Sequence, residues 1–227
     1  MNSALIVPVL KRFDLFTDMI KSIDCEIKPY IVDNYNNNRG VAASWNLGIV
    51  RARKDGYRYA VISNDDVVFV KGTIEKLYKS INTTGACIIS ANQENYINNK
   101  GLIKYEDMVD LCKNLDFYAD FSCFIVDIPQ LIKKCGYFDE NFSPAYFEDD
   151  DMRYRMKLAG VQHFIDTDAP IQHLGSQTQN YDPRNPVVTP DMFNKNKNYY
   201  VNKWGNLKGK ETYTTPFGNP KLTIKEW

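Results

Sequence analysis

Short uninterrupted apolar runs alternate along this chain with segments whose apolar residues recur every three or four positions. Runs of the first kind read as strands buried on both faces, and the second spacing is that of a helix with one buried face. Residues 3–10 (SALIVPVL) form such a run, with Pro8 expected to end the strand. Phe13, Phe16, Met19, Ile20 and Ile23 then mark a helix face over 12–23. Tyr30-Ile31-Val32 is a second short strand, closed by Asp33 and followed by the loop Asn34 to Asn38 with Gly40 as its pivot. A helix over 41–53 leads to a third strand, Tyr59 to Ile62, which runs into Asn64-Asp65-Asp66. Ile74, Leu77 and Ile81 predict a helix over 71–81, and Ala86 to Ser90 a fourth strand. Strand and helix in alternation, with short connections, predict right-handed β-α-β units and a sheet covered on both faces.

The second half is less regular. It predicts a helix around 105–114, a strand over 117–127, a helix over 129–134, and a helix from the acidic run Glu148-Asp149-Asp150-Asp151 to a stop at Gly160. Two strands follow, near 162–166 and 170–173. From about residue 177 prolines become frequent, but so do aromatics (Tyr199, Tyr200, Trp204, Trp227), which argues against a disordered linker. One helix near 190–203 is predicted there, with Tyr200 and Trp204 on one face, and the tail is expected to fold back on the rest. The division is therefore a domain over 1–176, with halves at about 1–90 and 91–176, and an extension over 177–227.

Composition narrows the possibilities. Lys+Arg and Asp+Glu are both 28, so the formal charge is zero and gives no broad footprint for nucleic acid. No apolar run approaches the ~18 residues of a membrane span. The N-terminus lacks a basic region ahead of its short apolar stretch, unlike a signal peptide. Five cysteines without CxxC spacing fit buried thiols in a reducing compartment, rather than a disulfide scaffold or a zinc site.

In sheets of this type, ligands sit at the carboxyl ends of the strands. Those ends here carry Pro8, Asp33 and Asn64-Asp65-Asp66. A carboxylate pair at a strand end suits a hard divalent ion that shares its coordination with phosphates, and it also suits a simple acidic turn. Four acids at 148–151 are stabilised by a helix N-terminus, yet one or two suffice for a cap, and four repel one another. An ionised carboxylate there is placed for general-base chemistry if a hydroxyl comes within reach. His173, at the end of a strand, is a candidate third metal ligand; His163 is read as structural.

Together these segments resemble the family 2 glycosyltransferases of GT-A fold, especially the rhamnosyltransferase-like branch. The resemblance rests on Val7-Pro8-Val9, Val32-Asp33-Asn34, Asn38-Arg39-Gly40 leading to Ala43 and Asn46, and Asn64-Asp65-Asp66 in the place of an Asp-x-Asp motif. It continues through Gly136 to Phe142 (GYFDENF), Phe147 to Met152 (FEDDDM) and His173-Leu174-Gly175-Ser176. It implies an inverting, metal-dependent enzyme that moves one sugar from a nucleoside-diphosphate sugar, UDP- or dTDP-linked, to a hydroxyl of a glycan or other acceptor. Asp33 would bind the base, with Pro8 and Val9 lining its pocket and Arg39 and Asn46 as further donor-side candidates. Asp65 would face the ribose or sugar, and Asn64 would be a further donor-binding residue. Asp66 and His173 would hold Mn²⁺ or Mg²⁺, and Asp149 would deprotonate the acceptor, with Glu148 as the other possibility. Asp151 is expected to cap its helix and to pack structurally. Asn64 departs from a strict Asp-x-Asp, which puts more of the metal binding on Asp66 and the phosphates. The Q-x-x-R-W motif of processive synthases is absent. The family's usual setting implies a cytoplasmic enzyme of surface-glycan assembly. Two alternatives stand beside it: an inactive nucleotide-sugar-binding module, and a phage-type enzyme that glycosylates modified DNA bases, against which the neutral charge weighs.

Overall fold

A computed structural model describes residues 1–93, 100–111, 121–175, 177–178, 181 and 186–227. The expectations for 112–114 and 117–120, and for Cys112, Ser176 and Pro183, fall outside the described residues.

The chain builds one eight-stranded sheet with helices on both faces. Its first half runs β1 (Ser3–Val9), α1 (Phe13–Lys21), β2 (Lys28–Asp33), α2 (Val41–Lys54), β3 (Tyr59–Ser63), β4 (Val67–Phe69), α3 (Thr73–Thr84) and β5 (Ile88–Gln93). The second half adds β6 (Leu102–Lys104), α4 (Tyr105–Leu111), β7 (Cys123–Asp127), α5 (Ile128–Lys134), α6 (Glu148–Leu158), β8 (His163–His173) and α7 (Pro190–Trp204). The strand order is β2-β1-β3-β7-β5-β8-β4, with β6 also on β8. Strands β1, β2, β3, β5 and β8 point one way, whereas β7, β4 and β6 run against them. This is the α/β GT-A architecture that the sequence predicts.

Side-chain alternation along β1 sorts the core into two layers. Ala4 and Ile6 face α2, α5 and α6, among Trp45, Ile49, Leu131 and Met156. Leu5, Val7 and Val9 face α1 and α3, among Met19, Ile74, Leu77 and Ile81. Gly48 lets α2 approach β1, because a Cβ there would lie 2.2 Å from Ile6 Cγ2. A third cluster joins Phe142 and Tyr154 to Tyr200 and Trp204, so α7 packs on α6.

Two local readings are corrected and one gap is filled. Pro8 does not end β1: it pairs with Val32 and the strand runs on to Val9. In a parallel ladder both polar groups of a residue face one neighbour. Val9 turns its carbonyl to Asn34 on the β2 side, so Pro8 faces β3, whose pairing already stopped at Ile6. The missing N–H therefore leaves no ladder partner unpaired. Second, residues 163–173 form one strand rather than two. The register against β5 jumps from Ala91↔Asp166 to Asn92↔Pro170, so a bulge absorbs the irregularity that looked like a break. Third, the three-residue strands β4 and β6 are too short to show a period of two.

Candidate functional site

A cleft of about 280 Å³ opens at the carboxyl edge of β1 and β3. One wall comes from the strand ends: Pro8, Leu10, Asn34, Asn64, Asp65, Asp66 and His173. The other comes from the segment Pro144-Ala145-Tyr146 and the start of α6, with Glu148 and Asp149. Gly40 joins the two. Its φ of +86° turns the chain into α2, Val41 N–H donates to Pro144 O at 2.8 Å, and a Cβ on Gly40 would lie 3.0 Å from that same carbonyl.

Asp65 and Asp66 form the turn that leaves β3 and are nearly buried. Burial, with the adjacent Asp66 charge second, pushes the Asp65 carboxyl up to about 6. Pairing of β4 with β8 sets Val67 opposite His173 and brings His173 Nε2 to 3.2 Å from Asp66 Oδ1. Leu174 N–H donates to the Asp66 carbonyl at 3.0 Å and fixes the turn. Two neighbouring ligands of an octahedral ion at about 2.1 Å each lie about 3 Å apart, so Asp66 and His173 fit one shared ion. His173 Nδ1 lies 3.2 Å from the Gln93 amide. Among the described residues, no group of three or more His, Cys, Asp or Glu side chains gathers to hold an ion. An ion here would take its remaining ligands from phosphate or water, as Mg²⁺ commonly does.

On the opposite wall Glu148 is buried, and its Oε2 has no protein partner among the described residues. Burial, and then the Asp149 charge, pushes its carboxyl well above the usual range. Asp149 accepts from Arg153 Nη1 at 2.7 Å, and that guanidinium also reaches Asp150 at 3.0 Å. The Arg153 guanidinium lies over the rings of Tyr105 and Phe121, 4.8 and 4.7 Å from their centroids. Lys208 holds Asp150 at 2.7 Å from the tail. Asp151 points into the protein, where it pairs with Arg155 at 2.6 Å and Lys203 at 2.8 Å and accepts from Trp204 Nε1 at 2.9 Å. The acidic run is thus divided: its first two members line the cleft, Asp150 holds cations of α6 and the tail, and its last ties α6 to α7.

Not every expected donor-side residue reaches the cleft. Val9 lies in the core, because alternation on β1 sends it away from the face that Pro8 presents. Asp33 and Arg39 sit outside the lining residues. Asp33 is exposed, its Oδ1 accepts from Tyr35 N–H at 2.8 Å, and Arg39 Nη2 approaches its carbonyl at 3.4 Å. Asn46 is a clamp instead. It donates to Phe138 O and Glu140 Oε1, accepts from Phe138 N–H, and so ties α2 to the GYFDENF segment. Asn64 lines the cleft and donates its backbone N–H to Ser122 O at 2.8 Å.

Several lining residues escaped the sequence reading. Asn34 is buried between β2 and α2, its amide donating to Ser44 Oγ while its Oδ1 has no partner among the described residues. Trp45 lines the cleft with its Nε1 likewise unpartnered. Tyr146 and Phe147 both have positive φ, at 78° and 75°. Non-glycine residues hold that conformation at a cost of about 1–3 kcal/mol each, and it tends to mark functional sites. Val187 and Val188 bring the C-terminal segment into the cleft. A buried amide among many asparagines, or two aromatics in a left-handed turn, leaves no periodic signal in a sequence.

Comparison with known proteins accords with this geometry. The family model "Glycosyl transferase family 2" matches residues 14–138, more than half of the chain. The match ends ahead of Glu148, Asp149 and His173, whose placement rests on the geometry above. No curated protein matches. Among solved structures, the chain is similar to the catalytic domain of Drosophila beta1,4galactosyltransferase 7 in complex with xylobiose, at 16% identity and a TM-score of 0.58. That likeness covers 96% of this chain and 83% of the other. It is also similar to S. aureus TarS 1-349, at 12% identity and a TM-score of 0.55, covering 88% and 72% respectively.

Proposed function

The chain belongs to glycosyl transferase family 2 and is a glycosyltransferase, and from that premise we propose an inverting, metal-dependent transfer of one sugar from a UDP- or dTDP-linked donor to an acceptor hydroxyl. The observation that carries the reading is one cleft with two chemically different walls. Asp65, Asp66 and His173 lie on one wall, and Glu148 and Asp149 on the other.

Asp66 and His173 would hold Mn²⁺ or Mg²⁺, which when bound stabilises the charge that develops on the departing diphosphate. Asp65, beside them, faces the ribose or sugar. Pro8 and Asn34 line the nucleoside end, and Asp33, next to Asn34 in the chain but outside the lining residues, accepts from the base. Asp149 takes the proton from the acceptor hydroxyl, which attacks the anomeric carbon on the face opposite the diphosphate. Arg153 orients that carboxylate. Glu148, held towards its neutral form by burial, is suited to donate a hydrogen bond rather than to take a proton. No helix among the described residues is long and apolar enough to cross a membrane, and we place the enzyme in the cytoplasm.

Calorimetric titration of UDP, dTDP, GDP and CMP, with and without Mn²⁺, tests the proposal. One diphosphate is expected to bind only with Mn²⁺, and Asp66→Ala to abolish that binding. Asp149→Asn is expected to keep nucleotide affinity while turnover falls by roughly 10²–10⁴-fold, the usual contribution of a positioned base. If the folded protein binds none of these nucleotides, the donor assignment is wrong.

A further inference from the structure

The mouth of the cleft beside Glu148 carries an aromatic surface that neither metal binding nor proton transfer uses. Tyr146 lines the cleft two residues before Glu148 and is 40% exposed. Phe193, on the first turns of α7, is equally exposed, and its ring centroid lies 5.5 Å from that of Tyr146. Phe147, between Tyr146 and Glu148, packs behind on Phe193 and Tyr200, at 5.2 and 5.8 Å. The left-handed turn that presents Tyr146 is held from beneath. Asn196, fully buried on α7, donates its amide to the carbonyls of Ala145 at 2.8 Å and Tyr146 at 3.3 Å. Two elements far apart in sequence thus fix an edge-to-face aromatic pair beside the cleft, the ring planes at 69°, with both rings partly open to solvent.

A second observation shows what the pair faces. Glu148, 6% exposed, lines the same cleft with Oε2 unpartnered among the described residues. A ligand here meets aromatic rings, the apolar Val187 and Val188, and carboxyl oxygens. Among the described residues, the cations behind Asp149 and Asp150 are already paired, Arg153 with both and Lys208 with Asp150. A phosphate-bearing acceptor would find acids and paired cations. A pyranose ring finds complementary chemistry. Its axial C–H bonds carry partial positive charge and suit the negative face of an aromatic ring, while its hydroxyls donate to carboxyl oxygens.

We propose that Tyr146 and Phe193 form the acceptor subsite and that the acceptor is a neutral pyranoside, seated in the corner between the two rings with its ring face on Tyr146 and one hydroxyl turned to Glu148 and Asp149. The proposal rests on the transferase reading above and specifies the acceptor within it. Tyr146 sets specificity by stacking, and no proton passes through it.

The test is saturation-transfer NMR and calorimetry on the full chain with methyl β-D-glucopyranoside, cellobiose, lactose and chitobiose. A single-stranded oligonucleotide that carries 5-hydroxymethylcytosine serves as the competing acceptor class. Each titration is run with and without UDP and Mn²⁺. At least one saccharide is expected to bind through its ring protons, roughly tenfold or more weakly in Tyr146→Ala and in Phe193→Ala, as for truncation of a stacked aromatic anchor. Tyr146→Phe is expected to retain the affinity, and all three variants to bind nucleotide as the parent does, which also reports that they fold. The proposal is overturned if no saccharide binds, if Tyr146→Ala and Phe193→Ala bind saccharide unchanged, or if the oligonucleotide binds instead. Absence of nucleotide binding in the parent protein would strike the donor reading, and the saccharide titrations without nucleotide would still decide this one.

Discussion

Asp65 shows how a single side chain can be costly to the fold and useful to the site. Burial and the neighbouring Asp66 raise its carboxyl to about 6, above its ordinary 3.8. A folded-state value above the unfolded one means that the native protein binds more protons between these two pH values, so stability falls as pH rises through that window. Asp65→Asn is therefore expected to stabilise the ligand-free protein by about 3 kcal/mol at pH 8 and by only about 0.5 kcal/mol at pH 4. Urea denaturation at the two pH values measures the difference, and an equal effect at both would contradict it. The cost is consistent with a carboxyl group kept for the donor's hydroxyls beside Asp66 and His173. At this scale the sequence is informative about residue type and weak about direction. Pro8 and Val9 are adjacent, yet only Pro8 meets the cleft, because a strand sends successive side chains to opposite faces. Asn46 shares the polarity of a ligand-binding residue but spends its hydrogen bonds on Phe138 and Glu140.

At the scale of elements, α6 is placed by α7. Lys203 is fully buried between Asp139 at 2.7 Å and Asp151 at 2.8 Å, and the Trp227 ring lies 4.3 Å from its ammonium. Tyr199 donates a further hydrogen bond to Asp139 at 2.9 Å. Removing the central cation leaves two buried carboxylates to share the remaining donors. Lys203→Met is expected to destabilise the fold by about 3–5 kcal/mol, the usual penalty for breaking a buried ion pair from one side. Chemical denaturation of this variant checks the value, and a loss under about 1 kcal/mol would show that Tyr199, Arg155 and Trp204 satisfy the two acids without it. The helices themselves were legible. The 3- and 4-residue spacing located α1, α3 and α7, and it put Tyr200 and Trp204 on the face that α7 buries. What the spacing does not carry is the partner. Neither Lys203 nor Arg153 stood out, because a lysine or arginine in a helix reads as surface until its neighbours are known.

At the scale of the molecule, the C-terminal segment is built into the fold and reaches the cleft. It covers Phe142 and Tyr154, neutralises Asp139 and Asp151, holds Asp150 through Lys208, and brings Val187 and Val188 to the cleft. A chain ended after Thr189 exposes that apolar cluster and leaves the two buried acids without Lys203. It is expected to lose cooperative thermal unfolding and Mn²⁺-dependent nucleotide binding together. Circular dichroism melts and calorimetry on the same sample measure both, and a truncated protein that melts sharply and binds nucleotide would show the segment to be an appendage.

The sequence by itself determined the alternation of strands and helices, the α/β architecture, and the chemistry gathered at Asn64-Asp65-Asp66, at the acidic run and at His173. These follow from local periodicity and from residue type, which need no knowledge of what lies across the sheet. Tertiary structure alone decided that Pro8 stays within its strand, that 163–173 is one strand with a bulge, that Asp151 finds Arg155, Lys203 and Trp204 as its partners, and that Tyr146 meets Phe193 beside the cleft. Each of these depends on pairing between segments distant in the chain. Such pairing is set by the register of the sheet and the docking of α7, and no local pattern records it.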